Sequence, residues 1–195
     1  PDQQGRCLSY TELYTEVCKF SNVLISNGAK KVDRICLYMP MVPELAIAVL
    51  VCARIGAIHS VVFAGFSAKS LSDRINDADC TILITADGGF RGAKITPLKN
   101  IADDAMQTTP SITKCIVLER TKSKISMQSG RDVWWHSEIR TRTFKVTPTD
   151  KNEDTKCKLC YRPRRRNTTE SRGSGGETRR SQHEPKLQSG RGNAR

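Results

Sequence analysis

DCTILITADGGFRGAKITPLK, residues 79–99, is the stretch of sequence that decides the fold. Its first part, Cys80 to Thr85, is short, almost continuously apolar and rich in β-branched residues, which is typical of a strand buried on both faces of a parallel sheet. Gly88 and Gly89 follow and allow the backbone to turn. The pattern therefore predicts a buried strand that ends in a glycine-containing loop.

Two cations follow these glycines. Arg91 and Lys94 are separated only by Gly92 and Ala93, so both charges stand on a backbone with little side-chain bulk. A basic loop between the carboxyl end of a parallel strand and a helix N-terminus is a usual location for an anionic ligand in an open α/β sheet. Arg91 and Lys94 on this loop can therefore receive a phosphate. Spacing alone leaves open the alternative that these are two solvated loop cations.

Helical and strand patterns alternate on both sides of this stretch. A capping box of Ser9 and Glu12 starts the first predicted helix, and Thr96 and Pro97 are predicted as the N-cap and first residue of the last one. The predicted helices run from Ser9 to Gly28, from Pro43 to Gly56, from Ser67 to Ala78, and onward from Thr96. The further predicted strands are residues 34–39, 58–63 and 114–119.

This alternation predicts an α/β fold, with a mainly parallel sheet and helices on its faces. The carboxyl ends of parallel strands meet at one edge, so the turn Phe63-Ala64-Gly65 is expected at the same edge as the Gly88–Lys94 loop. Two single features have less weight. His59, without an acidic or cysteine neighbour, is predicted to be a packed histidine. Trp134-Trp135-His136 is predicted to pack on the sheet edge as a lid, with an aromatic platform as the alternative.

Charge is distributed unevenly along the 195 residues, whose net charge is +12. Residues 1–139 carry 16 Lys and Arg against 14 Asp and Glu, whereas residues 140–195 carry 16 against 6. The second segment is also poor in apolar residues. We therefore predict a partial folded domain over residues 1–139 and a disordered basic tail over residues 140–195.

The cysteines and the hydropathy pattern bear on location. Six of the eight cysteines, Cys7 to Cys115 in the chain, lie in or beside apolar runs without regular spacing, which indicates small buried hydrophobic residues in a reducing compartment. No apolar run approaches the roughly 18 residues of a membrane span. The sequence favours a cytoplasmic location without membrane contact, with the mitochondrion and the nucleus as alternatives.

Four stretches carry a family resemblance: LSYTELYTEVCKFSNVL (8–24), YMPMVPELAIAVLVCARIGAIHSVVFAGFS (38–67), RINDADCTILITADGGFRGAKITPLK (74–99) and GRDVWWHSE (130–138). They closely resemble the amino-terminal part of the AMP-forming acetyl-CoA synthetases, which are adenylate-forming ligases. The resemblance covers roughly residues 5–139. It implies that the fold is a partial AMP-binding amino-terminal domain.

The resemblance also implies a two-step reaction. Acetate and ATP, with Mg in the complete enzyme, give acetyl-adenylate and pyrophosphate, and the thiol of coenzyme A then forms acetyl-CoA and releases AMP. In this family the loop that matches Arg91, Gly92, Ala93 and Lys94 contacts the phosphates of the coenzyme A nucleotide. The turn that matches Phe63, Ala64 and Gly65 lies beside it and is a weaker candidate for the same ligand.

Departures from the family pattern affect these expectations. Ala64 stands where members often have glycine, and Lys94 where several have arginine, which loses bidentate geometry. The sequence contains no TSGS-TGKPKG-like phosphate loop, and Arg172–Glu177 is the nearest stretch in composition. The family's catalytic lysine lies on a carboxyl-terminal domain. This chain alone is therefore expected to be inactive, with no catalytic and no metal-binding residue assigned.

The resemblance stops near Arg140, which a shifted reading frame or a retained intron would explain. The alternative function is a non-catalytic basic protein that binds nucleic acid through residues 140–195. A zinc site of Cys157 and Cys160 with His136 or His183 is a weaker alternative, because one CxxC pair leaves a tetrahedral site incomplete.

Overall fold

A computed structural model of the chain describes residues 7–141. Within this range helices and strands alternate as the sequence predicts. The helices are α1 (Tyr10–Ser26), α2 (Pro43–Ile55), α3 (Ala68–Ala78), α4 (Leu98–Met106) and α5 (Trp135–Arg140). The strands are β1 (Arg34–Met39), β2 (Ile58–Phe63), β3 (Ile82–Ala86), β4 (Gly89–Arg91), β5 (Lys94–Thr96), β6 (Lys114–Leu118) and β7 (Asp132–Trp134).

Five of these strands form one sheet in the order β2-β1-β3-β6-β7, and all of its pairs are parallel. This confirms the predicted α/β fold class. β3, which comes from the stretch that opened the sequence analysis, is the central strand, and all five of its residues are buried. Because the five strands run in one direction, their carboxyl ends meet at one edge of the sheet, here called the carboxyl edge.

Right-handed crossovers place the helices in two layers. The chain moves from β1 to β2 through α2 and returns from β2 to β3 through α3, so these two helices lie on opposite faces. The contacts agree, since α1 packs on α2 and α5, and α3 packs on α4. The core lies between these layers and the sheet, with Phe20, Leu37, Ile47, Leu83 and Ile116 among its buried side chains.

Local signals place the helix starts correctly in three cases. Ser9 forms the predicted capping box, because its hydroxyl accepts the Glu12 N–H and the Glu12 carboxylate accepts the Ser9 N–H at 2.7 Å. Pro43 opens α2. Ser67 caps α3 by accepting the Ser70 N–H at 3.3 Å.

The start of α4 differs from the prediction. Thr96 belongs to β5, and the N-cap of α4 is Pro97, which makes no side-chain capping bond. The reason is that Gly89–Arg91 and Lys94–Thr96 pair as an antiparallel hairpin instead of forming a loop. Three-residue strands carry too few positions for a period of two to be read from sequence.

His59 is also corrected, because it is exposed and not packed. β2 lies at the outer position of the sheet, and five of its six residues are exposed or half-buried. Only Val62 is fully buried there. The outer position of β2 in the sheet leaves most of its side chains, His59 among them, exposed to solvent.

Trp135 and most of the cysteines in the described range are buried. Trp135 is 2% exposed and stacks on Phe20 of α1 with ring centroids 3.5 Å apart, so its ring is not available as a platform. Five of the six cysteines in the described range are buried as predicted, but Cys7 is exposed. Of the predicted tail, residues 140–195, only the first two are described, and Arg140 is the last residue of α5. The rest of the tail, with the cysteines of the zinc alternative, lies outside the described residues.

Candidate functional site

The hairpin of β4 and β5 brings the two predicted phosphate contacts together. Arg91 and Lys94 are directly opposite each other in the antiparallel register, on either side of the Gly92-Ala93 turn. Residues in such a pair lie on one face with their Cβ atoms about 5 Å apart. Gly92 has φ +61°, which a residue with a side chain adopts at a cost, so glycine suits this turn position.

The hairpin has two distinct faces. Alternation along β4 places Gly89 and Arg91 on one face and Phe90 on the other. A Cβ at Gly89 would lie 3.4 Å from Pro40, which directly follows β1. Arg91 and Lys94 therefore share the face of the hairpin on which the Gly89 Cβ would lie, where Leu98 is the nearest neighbour at 3.3 Å. On the opposite face, the guanidinium of Arg120 lies over the Phe90 ring at 5.7 Å.

The second predicted segment lies at the same carboxyl edge, two strands away. Phe63 ends β2, and the Phe66 N–H donates to its carbonyl at 3.0 Å, which closes a turn over Ala64 and Gly65. A Cβ at Gly65 would meet the Phe63 ring at 2.5 Å, so any larger residue here would have to displace that ring. Because β1 separates β2 from β3, the two segments are about 10 Å apart at the strand ends. They share an edge but do not belong to one loop.

Phe63 presents an exposed aromatic face at this edge. Its side chain is 62% exposed and contacts the Phe66 ring edge-on, with centroids 5.8 Å apart. Tyr38 donates its hydroxyl to the Phe66 carbonyl at 2.8 Å, and the Arg74 guanidinium lies over the Phe66 ring at 4.6 Å. An aromatic ring supported in this way can stack on a flat ligand group.

The cations of the carboxyl edge have no carboxylate partner in residues 7–141. Arg91, Lys94 and Arg120 are all exposed, and none of them forms an ion pair in this range. Glu119, next to Arg120 in sequence, forms no ion pair with them either. Free exposed cations on a hairpin with little bulk can receive a phosphate without first breaking an internal salt bridge.

Asp87, which sequence reasoning did not single out, holds the base of the hairpin. Its carboxylate is fully buried and accepts N–H bonds from Gly88, Arg120, Thr121 and Ser123, at 2.7 to 3.1 Å. Burial by itself raises the pKa of this carboxyl, but the four backbone donors outweigh burial and lower its pKa. Its place directly before the two glycines is the one sequence signal that could have indicated this role.

A second buried charge cluster lies between α4 and β7 and was also missed. The Lys99 ammonium is fully buried and contacts Asp103 at 2.6 Å and Asp132 at 2.9 Å. Arg131 bonds both of these carboxylates, at 2.7 and 2.6 Å. Burial raises the pKa of Asp132, but its bonds to Arg131, the Gln128 N–H and Lys99 lower it overall. Because its charges are paired with each other, we interpret this cluster as structural.

Two buried thiols of the described chain are poor candidates for a nucleophile. Burial raises the pKa of the Cys52 and Cys115 thiols to about 12, so they stay protonated at neutral pH and are poor nucleophiles. A groove of about 400 Å³ between α3 and α4 is lined by none of the predicted site residues, and its Lys69 is paired with Asp73 at 3.4 Å. Residues 7–141 hold no group of side chains suited to a metal ion.

The class of protein follows from this fold and from comparison with known families. The model of the family "AMP-binding enzyme" matches residues 2–161, which is most of the chain. The chain therefore belongs to the AMP-binding enzymes. In the part that the structure describes, no helix has both the length and the apolar character needed to cross a membrane.

The particular relatives are acetyl-coenzyme A synthetases. The chain is 57% identical to the acetyl-coenzyme A synthetase of Desulfatibacillum aliphaticivorans over 129 residues, which are 66% of this chain and 20% of the relative. It is 56% identical to that of Rubrobacter xylanophilus over 137 residues, 70% of this chain and 21% of the relative. The chain thus spans about a fifth of the length of these curated relatives.

A solved structure supports the fold. The acetoacetyl-CoA synthetase from Streptomyces lividans matches with a TM-score of 0.66 at 21% identity, over 74% of this chain and 22% of that one. At this identity the match concerns the fold alone. It therefore supports the predicted α/β fold.

Proposed function

We propose that this chain is an amino-terminal segment of an AMP-forming acetate–CoA ligase and that its carboxyl edge holds the nucleotide end of coenzyme A. The observation that carries the proposal is the opposed pair of Arg91 and Lys94 on a glycine-containing hairpin, both exposed and without a carboxylate partner among residues 7–141. The names of the relatives support the choice of ligand and of acetate as the acyl substrate.

In this proposal each residue has a defined role. Arg91 and Lys94 donate charge-assisted hydrogen bonds to the phosphates of coenzyme A, while Gly92 and Ala93 leave room for the phosphates to approach the backbone. Phe63 offers its exposed ring to the flat base about 10 Å away, and Ala64 and Gly65 keep that approach open. The complete ligase uses ATP and Mg to form the acetyl-adenylate that the coenzyme A thiol attacks.

The segment itself is proposed to bind but not to catalyse. Its sequence contains no Ser/Thr/Gly-rich phosphate loop ending in lysine, and no residue of the chain is assigned to chemistry. The domain boundary at residue 139 and the cytoplasmic location of the complete ligase both stay predictions.

Titration of coenzyme A into the full 195-residue chain tests the site. Arg91→Ala and Lys94→Ala should each weaken binding roughly tenfold, the value of one charge-assisted hydrogen bond. Lys30→Ala is the matched control, because Lys30 is an exposed cation just before β1, at the opposite edge of the sheet. If both hairpin variants bind coenzyme A as the unchanged chain does, the assignment of the site is wrong.

The excess of 16 Lys and Arg over 6 Asp and Glu in residues 140–195 favours a second candidate function, nucleic-acid binding. Such binding should weaken steeply with salt and should disappear when residues 140–195 are removed. A truncated chain that still binds nucleic acid with unchanged affinity would contradict this alternative.

A further inference from the structure

Asp87 lies at the junction between β3 and the hairpin that carries Arg91 and Lys94. One of its carboxylate oxygens accepts the Gly88 N–H at 2.7 Å and the Arg120 N–H at 2.8 Å. The carboxylate also accepts the N–H groups of Thr121 and Ser123 at 3.0 and 3.1 Å. A single buried side chain therefore joins the base of the hairpin to the segment 120–123 that follows β6.

The main chain of Asp87 extends this connection to the other end of the hairpin. Its N–H donates to the Leu118 carbonyl at 2.9 Å, and its own carbonyl accepts the Lys99 N–H at 3.4 Å. Lys99 lies in the first turn of α4, directly after β5 and Pro97. Both ends of the segment that contains the hairpin are thus held at Asp87.

The segment 120–123 packs closely against the hairpin. A Cβ at Gly88 would lie 2.7 Å from Thr121 Oγ1 and 3.1 Å from Ile95 Cγ2 of β5. Arg120 covers the Phe90 ring on the face opposite Arg91. A displacement of this segment would remove the support behind the hairpin and allow Arg91 and Lys94 to move.

We propose that Asp87 is a positioning residue for the coenzyme A site: its carboxylate fixes the hairpin relative to the 120–123 segment, so that Arg91 and Lys94 are held ready for the phosphates. This rests on the proposed function. Among residues 7–141, backbone N–H donors and no cation compensate the Asp87 charge, so the nearby Arg and Lys side chains stay free for a ligand. An asparagine would turn its NH₂ group toward some of these donors and could not accept all four bonds.

The test measures coenzyme A affinity and thermal stability together in the full 195-residue chain. Asp87→Asn should weaken coenzyme A binding about tenfold at a temperature where near-ultraviolet circular dichroism shows the folded state, as is usual when a residue that orients a binding group is lost. Asp103→Asn is the matched control, because it removes a half-buried carboxylate from the Lys99 cluster and should lower Tm without changing that affinity. A folded Asp87→Asn chain with unchanged affinity overturns the proposal.

Gly88→Ala is a second variant that disturbs the junction between the hairpin and the 120–123 segment. It keeps the proposal testable if Asp87→Asn does not fold. Its new methyl group would lie 2.7 Å from Thr121 Oγ1 and 3.2 Å from the Thr96 carbonyl oxygen, so it would press the 120–123 segment and β5 apart and should weaken coenzyme A binding. Failure of the proposed function appears differently, as unchanged affinity in Arg91→Ala and Lys94→Ala. If those two variants weaken binding while folded Asp87→Asn or Gly88→Ala does not, only the role of Asp87 is refuted.

Discussion

Asp87 and Asp132 are both buried carboxylates with a lowered pKa, but their charges are compensated in opposite ways. Asp87 is surrounded by four backbone N–H donors, whereas Asp132 is bonded by Lys99 and Arg131. The contrast explains why Arg91 keeps a free charge at the carboxyl edge while the cations near β7 are internally paired. Backbone donors can hold a buried carboxylate without using up the cations that a ligand needs.

The largest effect should come from the cluster around Asp132. Lys99→Met leaves two carboxylates with Arg131 as the one remaining cation of the cluster and should lower the free energy of unfolding by about 3–5 kcal/mol. Urea unfolding of the full chain measures this. The double change Lys99→Met and Asp132→Leu should restore part of the loss, because it removes the uncompensated charge. A loss below about 1 kcal/mol for Lys99→Met would show that the cluster is not tightly coupled.

A smaller loss is expected at Asp87. Asp87→Asn removes the charge but keeps the shape, and it leaves some buried N–H donors without an acceptor, at a cost of about 1–3 kcal/mol. The same urea titration gives this value. If Asp87→Asn lowered the free energy of unfolding as much as Lys99→Met does, backbone donors and cations would stabilise a buried carboxylate equally. The contrast between Asp87 and Asp132 would then disappear.

The two carboxylates should also make stability depend on pH. Both pKa values are lower in the folded chain than the value of about 3.9 in the unfolded chain, so their contribution is fully present above about pH 5. It is lost as pH falls through the folded values. The free energy of unfolding should therefore decrease from pH 5 toward pH 2. Asp132→Asn should flatten this decrease, and an unchanged profile would contradict the assignment.

The smallest effect on stability is expected where the cations are free. Arg91→Ala and Lys94→Ala remove exposed side chains without ion pairs in the described range, so the free energy of unfolding should change by less than about 0.5 kcal/mol. Their effect on coenzyme A binding should be large by comparison. A substantial loss of stability in either variant would show that the hairpin depends on these side chains for its own structure.

Sequence patterns predicted most of the sheet and part of the site. The capping box at Ser9 and the position of Pro43 depend on neighbours three or four residues away, so both could be read directly. Arg91 and Lys94 were predicted as a pair, and the structure brings them together. Thr96 was misassigned because three-residue strands leave no readable period. His59 was misassigned because strand order, and so the exposure of β2, is not a local property.

The sequence by itself determined the alternation of helices and strands, the burial of β3 and the two cations that the hairpin carries. Only the tertiary structure decided that β2 lies at the edge and that Asp87 is held by Arg120, Thr121 and Ser123, 33 to 36 residues away. The physical reason is the range of the interactions. Capping and periodicity act within one or two turns, whereas the compensation of a buried charge depends on groups that only the folded sheet brings together.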